Sequence, residues 1–430
     1  MVQKAQVAQV SPITPIRAVR WVDCGSVAPV DHRRILVQGL GEDSSRSRSP
    51  LARAAGSCRR EGAAADDGAV TYHRNNELSS TGKFEFRRAA PSRRVHYPFT
   101  AQRTAMDKLR VVDFRSDTLT KPTPEMRQAM RDAEVGDDVF KEDPTVNELE
   151  RVVAELLGKE SALFVPTGTM GNLAAVMAHC DQRGQEILVG DASHIFLNEQ
   201  GGVAQVAAVH SWAVPTQKDG RLLVEDLEFR VRHNDFHCPK TALLCLENTH
   251  NVCGGTVLPV DYLEQGLACP IGSLVAGPKD FIDKVARVRK CLGGGMRQAG
   301  IVAAAGLVSF KTIVPRLHED HENTQRLARG VCLKGNPYMS MDLETVQTNM
   351  AVYDFHDISR LSPVTFCKRL EKVTQREYED LQQAIAVKMI PISHSKARAV
   401  LHNDVNADDV DAAVLKIRYV IDELCQSAGA

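Results

Sequence analysis

The sequence predicts an α/β protein, with a large domain on a mainly parallel sheet, a smaller C-terminal α+β domain and a basic N-terminal extension. Three observations predict this. Helical and strand patterns alternate from Asp113 onward, the pattern changes after about Arg316, and charge is divided unevenly along the chain. The net charge is -1 over 430 residues, yet residues 1–106 hold 17 Lys plus Arg against 9 Asp plus Glu, and the remainder is correspondingly acidic. The expected domains are 1–106, 107–315 and 316–430.

The extension has no sustained periodicity. Ser44-Ser45-Arg46-Ser47-Arg48-Ser49-Pro50 and the run from Gly62 to Gly68 offer little apolar area to offset ordering entropy, so disorder is expected to about Met106. Lys4, Arg17 and Arg20 without an acid weakly resemble a mitochondrial presequence, but Pro12 and Pro15 disfavour an amphipathic helix. A cytoplasmic location is expected, with the mitochondrion as the alternative. The Arg-Ser stretch lacks aromatic interleaving and a folded module, so no nucleic-acid partner is expected.

With 43% apolar and 25% charged residues, the composition excludes a wholly disordered or collagen-like chain. The apolar stretch from Gly300 to Phe310 falls short of the roughly 20 residues of a membrane helix, so no membrane span is expected. Eleven cysteines without a CxxC pair or zinc-spaced His read as reduced thiols, and no metal site is expected.

Asp143 as cap and Pro144 at the first helical position start a helix whose apolar face is Val146, Leu149, Val152, Val153 and Leu156, and Gly158 ends it. Ser161–Val165 reads as a buried strand, Leu173–Ala178 as helix, and Glu186–Val189, Val203–Val209 and Thr241–Glu247 as strands. In the smaller domain strands are expected near Val346–Tyr353, Ala386–Pro391 and Arg398–His402, with a helix from Ser362. The last helix opens on a capping box, Asn406 with Asp409, and carries Val410, Val414, Ile417 and Ile421 on one face.

Several stretches could carry chemistry. Pro166-Thr167-Gly168-Thr169-Met170-Gly171-Asn172 lies between a strand and a helix, where glycines, helix N–H groups and the Thr169 hydroxyl can cradle an anion; a bland strand-to-helix turn looks similar, and no Lys follows to make a P-loop. His194 follows the next strand and could stack on a flat ring. Glu247-Asn248-Thr249-His250-Asn251 is a polar run after an apolar strand, and His250 suits proton transfer near neutral pH. Arg297, after Gly293-Gly294-Gly295-Met296, could clamp a phosphate, and Arg398 could hold a carboxylate through its fork; either could also be a solvated charge.

Together these residues resemble the low-specificity L-threonine aldolase family, fold-type I enzymes dependent on pyridoxal 5'-phosphate (PLP). The resemblance runs from about Val112 to Leu424 and includes Phe114-Arg115-Ser116-Asp117-Thr118, Gly136-Asp137-Asp138, Gly168-Thr169-Met170, Leu246 to His250, Gly266 to Ser273, Gly293 to Gly300 and Arg398 to Val405. It implies a PLP-dependent transferase-like large domain and retro-aldol cleavage of L-threonine or L-allo-threonine to glycine and acetaldehyde. That reaction serves glycine biosynthesis and threonine catabolism. By the same resemblance Gly168 and Thr169 would hold the cofactor phosphate, His194 would stack on its ring, Ser116 and Arg398 would bind the substrate carboxylate, and His250 would help remove the hydroxyl proton. Arg297 would reach a phosphate across a subunit interface, in a homo-oligomer of two or four chains.

The sequence departs from the family pattern at one place. The family has an Asp-Gly-Ala-Arg strand end, whose Asp meets the pyridine nitrogen, and a later Ser-Lys-Gly-Leu, whose Lys forms the Schiff base. Here Asp261-Tyr262-Leu263-Glu264 runs into Gln265-Gly266-Leu267, so Gln265 stands where that Lys is expected. Roughly 50 residues have no counterpart, enough for two strands and their crossover helix. An amide cannot condense with an aldehyde. The sequence therefore leaves three readings: an impaired aldolase, a non-catalytic remnant or regulatory subunit, and a β-eliminating lyase that needs the same Lys.

Overall fold

The computed structural model describes residues 5–8, 109–232, 235–258, 273–331 and 333–429. The disorder expected over 1–106 lies outside these residues, except at β1 (Ala5–Ala8), where a strand is found instead. The further strands are β2 (Arg110–Asp113), β3 (Ser161–Val165), β4 (Gln185–Gly190), β5 (His210–Val214), β6 (Lys240–Glu247) and β7 (Ser273–Gly277). The helices among them are α1 (Pro124–Asp132), α2 (Pro144–Leu156), α3 (Gly168–His179), two single turns α4 (His194–Leu197) and α5 (Gly202–Gln205), α6 (Val224–Arg230) and α7 (Lys279–Cys291).

Strands β6, β4 and β5 are parallel neighbours, the mainly parallel sheet the alternating pattern predicts, and β1 adds antiparallel to the free edge of β6. Strands β3 and β7 form a separate antiparallel pair. Helix α3 lies across both pieces. Its Ala174 and Ala178 pack with Leu163, Val165, Ile282 and Val285, whereas Val176 packs with Ile187, Val189, Leu243 and Cys245. A helix with core on two sides must be small and apolar nearly all round, and this one is.

The chain then forms α8 (Gly300–Thr312), α9 (Leu317–Val331), β8 (Met339–Ser340), β9 (Met350–Phe355), α10 (Pro363–Leu370), α11 (Gln375–Leu381), β10 (Ile385–Lys388), β11 (Ile390–Ser393), β12 (Lys396–Val400) and α12 (Ala407–Gly429). By length and composition Gly300–Val331 could cross a membrane. However, Pro315 interrupts it, and Ala303, Ala304, Ala305, Leu327 and Ala328 are buried within the protein. Strands β11-β12-β9-β8 make an antiparallel sheet, and β10 pairs parallel with β2. This brings Val112 and Phe114 into a core with Tyr353, Phe366, Leu370, Ile385, Val410, Ile417 and Ile421.

Local chemistry explains most of these elements. Asp143 caps α2 through Oδ1, which accepts from Val146 N at 3.0 Å, and its Oδ2 accepts from Gly300 N at 2.9 Å, so one carboxylate caps one helix and anchors the start of another. Leu156, expected on the buried face of α2, is exposed, and Ala154 is buried in its place. Gly158 follows in the left-handed region, with φ +61°. At the start of α12 the capping box is reciprocal: Asp409 N donates to Asn406 Oδ1 at 2.9 Å and Asn406 N to Asp409 Oδ2 at 3.3 Å. Lys416, beside Ile417, is fully buried and paired with Glu377.

Three expectations are corrected. Val203–Val209 is not a strand; the turn α5 and a loop carry it, with Val203 and Val209 inserted as buried anchors, and the next strand is β5. Val346 is buried outside any strand, after a 3-10 turn at Leu343–Thr345, so β9 begins only at Met350. The stretch Ala386–Pro391 is two strands, β10 and β11, that join different sheets.

Replacing Asp143 with Ala strands two buried N–H groups and is expected to lower unfolding free energy by about 2–4 kcal/mol, read from urea denaturation. A loss below about 0.5 kcal/mol, the range of an ordinary surface substitution, contradicts the dual role.

Candidate active site

A cleft of about 390 Å³ opens at the carboxyl ends of β4 and β6, where parallel sheets commonly receive ligands. Ser116, Asp117, His194, Glu247, Thr249, Asn251 and Arg398 supply its polar lining, and Met350, Ile390, Pro391 and Val400 much of its apolar wall. Three of the predicted site residues, Ser116, His194 and Arg398, thus meet in one place although they come from distant parts of the chain.

Each is held by its own local structure. Ser116 caps the 3-10 turn Asp117–Leu119, its Oγ accepting from Thr118 N at 3.2 Å. His194 begins α4 directly after the turn that leaves β4, and Glu247 Oε2 at the end of β6 accepts from its backbone N at 2.5 Å. The other oxygen of Glu247 accepts from Asn251 N at 2.8 Å, so this carboxylate ties the β4 loop to the β6 loop. His194 Nδ1 lies 2.9 Å from Glu199 Oε1, which also accepts from Asn172 Nδ2 of α3 at 2.7 Å. Both glutamates are buried, and the contact with Glu199 fixes the orientation of the imidazole.

Arg398 stands on β12. Its Nη1 donates to Asn251 Oδ1 and its Nη2 to Arg115 O at 3.4 Å, while its buried Nε has no partner among the described residues. Burial pushes its guanidinium below the usual arginine range and nearby Asp117 partly offsets this. The cleft therefore presents a desolvated guanidinium beside a serine hydroxyl, an arrangement suited to a carboxylate.

The remaining predicted residues lie elsewhere. His250 is only 1% exposed and does not line the cleft, although Glu247, Thr249, Asn251 and Val252 do. Its ring packs where a Cβ at Gly220 would come within 2.9 Å of its own Cβ, and its Nε2 is buried without a partner among the described residues. Gly168 and Thr169 start α3 as predicted, after the cap Thr167, whose Oγ1 accepts from Met170 N at 3.1 Å. The glycine loop 293–295 packs on that start, since a Cβ at Gly294 would lie 2.5 Å from Met170 Sδ. Arg297 is half-exposed and bound to Asp137 Oδ2 at 2.7 Å, away from the cleft of its own chain. Gln265 lies outside the described residues.

The sequence reading missed Glu199, which gave no local signal, and included Asn172 only as the last residue of the candidate stretch Pro166 to Asn172, without its contact to Glu199.

The parallel sheet, its covering helices and the C-terminal antiparallel sheet are those of the fold-type I class of PLP-dependent enzymes. A threonine aldolase from Leishmania major superposes with a TM-score of 0.55, over 72% of this chain and 99% of that one, at 15% identity. The beta-eliminating lyase family matches residues 113–265 and 263–356. Low-specificity L-threonine aldolase 1 of Arabidopsis thaliana is 37% identical over 70% of this chain and 94% of its own length, and the low specificity L-threonine aldolase of Escherichia coli 38% identical over 54% and 82%. The chain belongs to this family of PLP-dependent lyases, among its threonine aldolases.

The family and its fold neighbours imply pyridoxal 5'-phosphate as cofactor. Backbone N–H groups at the start of α3 suit a phosphate and His194 suits a ring. At the aldehyde the residues do not fit, because no lysine among the described residues lines the cleft.

Burial lowers the pKa of His250, with Glu247 and then Asp191 opposing. A histidine held neutral when folded takes up its proton on unfolding, so its contribution to stability falls as pH drops below about 6.5 and levels off below the folded pKa. The His250→Gln variant is expected to lose less stability than wild type between pH 7.5 and 5.5 in urea denaturation. Equal losses contradict the assignment.

Proposed function

We propose that this chain is a threonine aldolase family member that holds an amino-acid carboxylate but does not perform the Schiff-base-dependent cleavage. One observation carries the reading: among the described residues the cleft has its carboxylate fork, Arg398 with Ser116, and no amine. The covalent step needs a deprotonated amine to attack the cofactor aldehyde, and neither Gln265 nor any described residue lining the cleft supplies one.

The comparisons support the same reading. The family matches in two pieces that meet at 263–265, the junction singled out in the sequence. The alignment to the Arabidopsis relative spans 352 positions yet uses 70% of 430 residues, about 301, which leaves about 50 positions without a residue here. That is the size of the block expected to carry the Asp and the Lys. Ser116 and Arg398 then act as a binding pair, and His194, oriented by Glu199 and Asn172, forms the cleft wall. Its role is that of a non-catalytic family protein.

Purified protein incubated with PLP and L-threonine or L-allo-threonine is expected to release acetaldehyde at a rate lower by about 10³-fold or more than a complete relative. Replacing Gln265 with the relative's block, taken up to and including its Schiff-base Lys so that Gly266 follows directly, is expected to restore release. Turnover by the unaltered chain within about tenfold of the relative contradicts the proposal.

A further inference from the structure

We propose that β1 replaces a strand lost at the 264–265 junction, so that residues 5–8 of this chain close the sheet edge beside β6. The proposal rests on the reading of that junction given above.

Among the described residues the large sheet is broken in one place. Strand β6 pairs with β4 on one side, and β7 pairs only with β3, so the two pieces share a helix but no ladder. That helix is α3, which packs against β3, β6 and β7 alike and also against β1. Leu243 and Cys245 of β6 are buried, so the free edge of this strand lies where unpaired N–H and C=O groups cost most. Strand β1 meets that edge in antiparallel register, Ala5 opposite Glu247, Gln6 opposite Leu246, Val7 opposite Cys245 and Ala8 opposite Leu244.

Strand addition relies on backbone hydrogen bonds, so it tolerates a changed direction and an unrelated sequence. What the edge requires is an extended, uncharged segment free of proline. Ala5-Gln6-Val7-Ala8 meets that requirement. Because the segment is tethered, pairing is intramolecular, and loop-closure cost grows only slowly with the length of the intervening chain. The register also connects the strand to the cleft. Ala5 pairs with Glu247, the residue whose carboxylate holds both His194 and Asn251.

The register supplies its own test, since Val7 is the backbone partner of a native cysteine, Cys245. Directly opposed residues of an antiparallel pair have Cα atoms about 4.5–5.5 Å apart, within disulfide range. The full-length Val7→Cys variant, oxidised with copper phenanthroline and mapped without reduction, is expected to contain a disulfide between the introduced thiol and Cys245 of the same chain. The Ser11→Cys control is expected to form at least tenfold less. Absence of that disulfide in the Val7→Cys variant, or its formation only between two chains, overturns the proposal.

Hydrogen exchange tests it without a crosslink. The double variant Gln6→Pro, Val7→Pro is expected to speed amide exchange at Leu243 to Glu247 at least tenfold while leaving Leu163 to Val165 of β3 unchanged. Equal rates at β6 in variant and wild type overturn the proposal. Neither readout involves cofactor or threonine. A covalent cofactor adduct would therefore refute the reading of the cleft without touching the strand, and a missing crosslink would refute the strand without touching the cleft.

Discussion

Half the polar lining of the cleft is referred to the position of β6. This strand ends at Glu247, whose two oxygens take the backbone N–H groups of His194 and Asn251, and Asn251 in turn receives Arg398. A buried carboxylate with both oxygens engaged is costly to disturb, so the end of β6 fixes two loops and, through Asn251, Arg398 of β12. The constraint reaches the cleft floor through α3, where Asn172 holds Glu199 and Glu199 holds the His194 ring. Backbone pairing along the strand and side-chain pairing at its end thus act on the same few residues.

On the proposed reading, that dependence lets a chain without the centre of the family's sheet keep a recognisable cleft. Strands β3 and β7 with α7 form one packed cluster, and β4 and β6 belong to another, with α3 contributing to both. The cleft draws on the loops after β4 and β6, on the turn after β2 and on the C-terminal sheet, whose core is separate again. On the proposed reading, loss of a block between the clusters removes the lysine and opens an edge, but leaves the packing beneath Glu247, His194 and Arg398 in place.

Much of the fold was legible in the sequence where a residue's local chemistry decides its structure. Asp143 with Pro144, Ser362 before Pro363, and Asn406 with Asp409 each marked a helix start correctly, because capping depends on neighbours in the chain. Apolar strands at Ser161–Val165 and near Thr241–Glu247 were legible because burial on both faces leaves few polar positions. Val203–Val209 misled because β-branched residues anchoring a loop have the composition of a strand. The cleft was legible only in part. His194 and Arg398 came from their place in the sequence and Ser116 from a family motif, and all three do meet, whereas the burial of His250 away from the cleft and the buried network through Glu199 depend on contacts between distant segments, which no local pattern encodes.

On the proposed reading the cleft lacks a group to bind the cofactor covalently. The most direct measurement is the absorbance spectrum of the purified, folded protein with PLP, before and after borohydride, followed by intact mass. No Schiff-base band and no reduced adduct on the chain are expected. A band that borohydride converts into a stable adduct on one lysine would contradict that reading and would identify a rebuilt site.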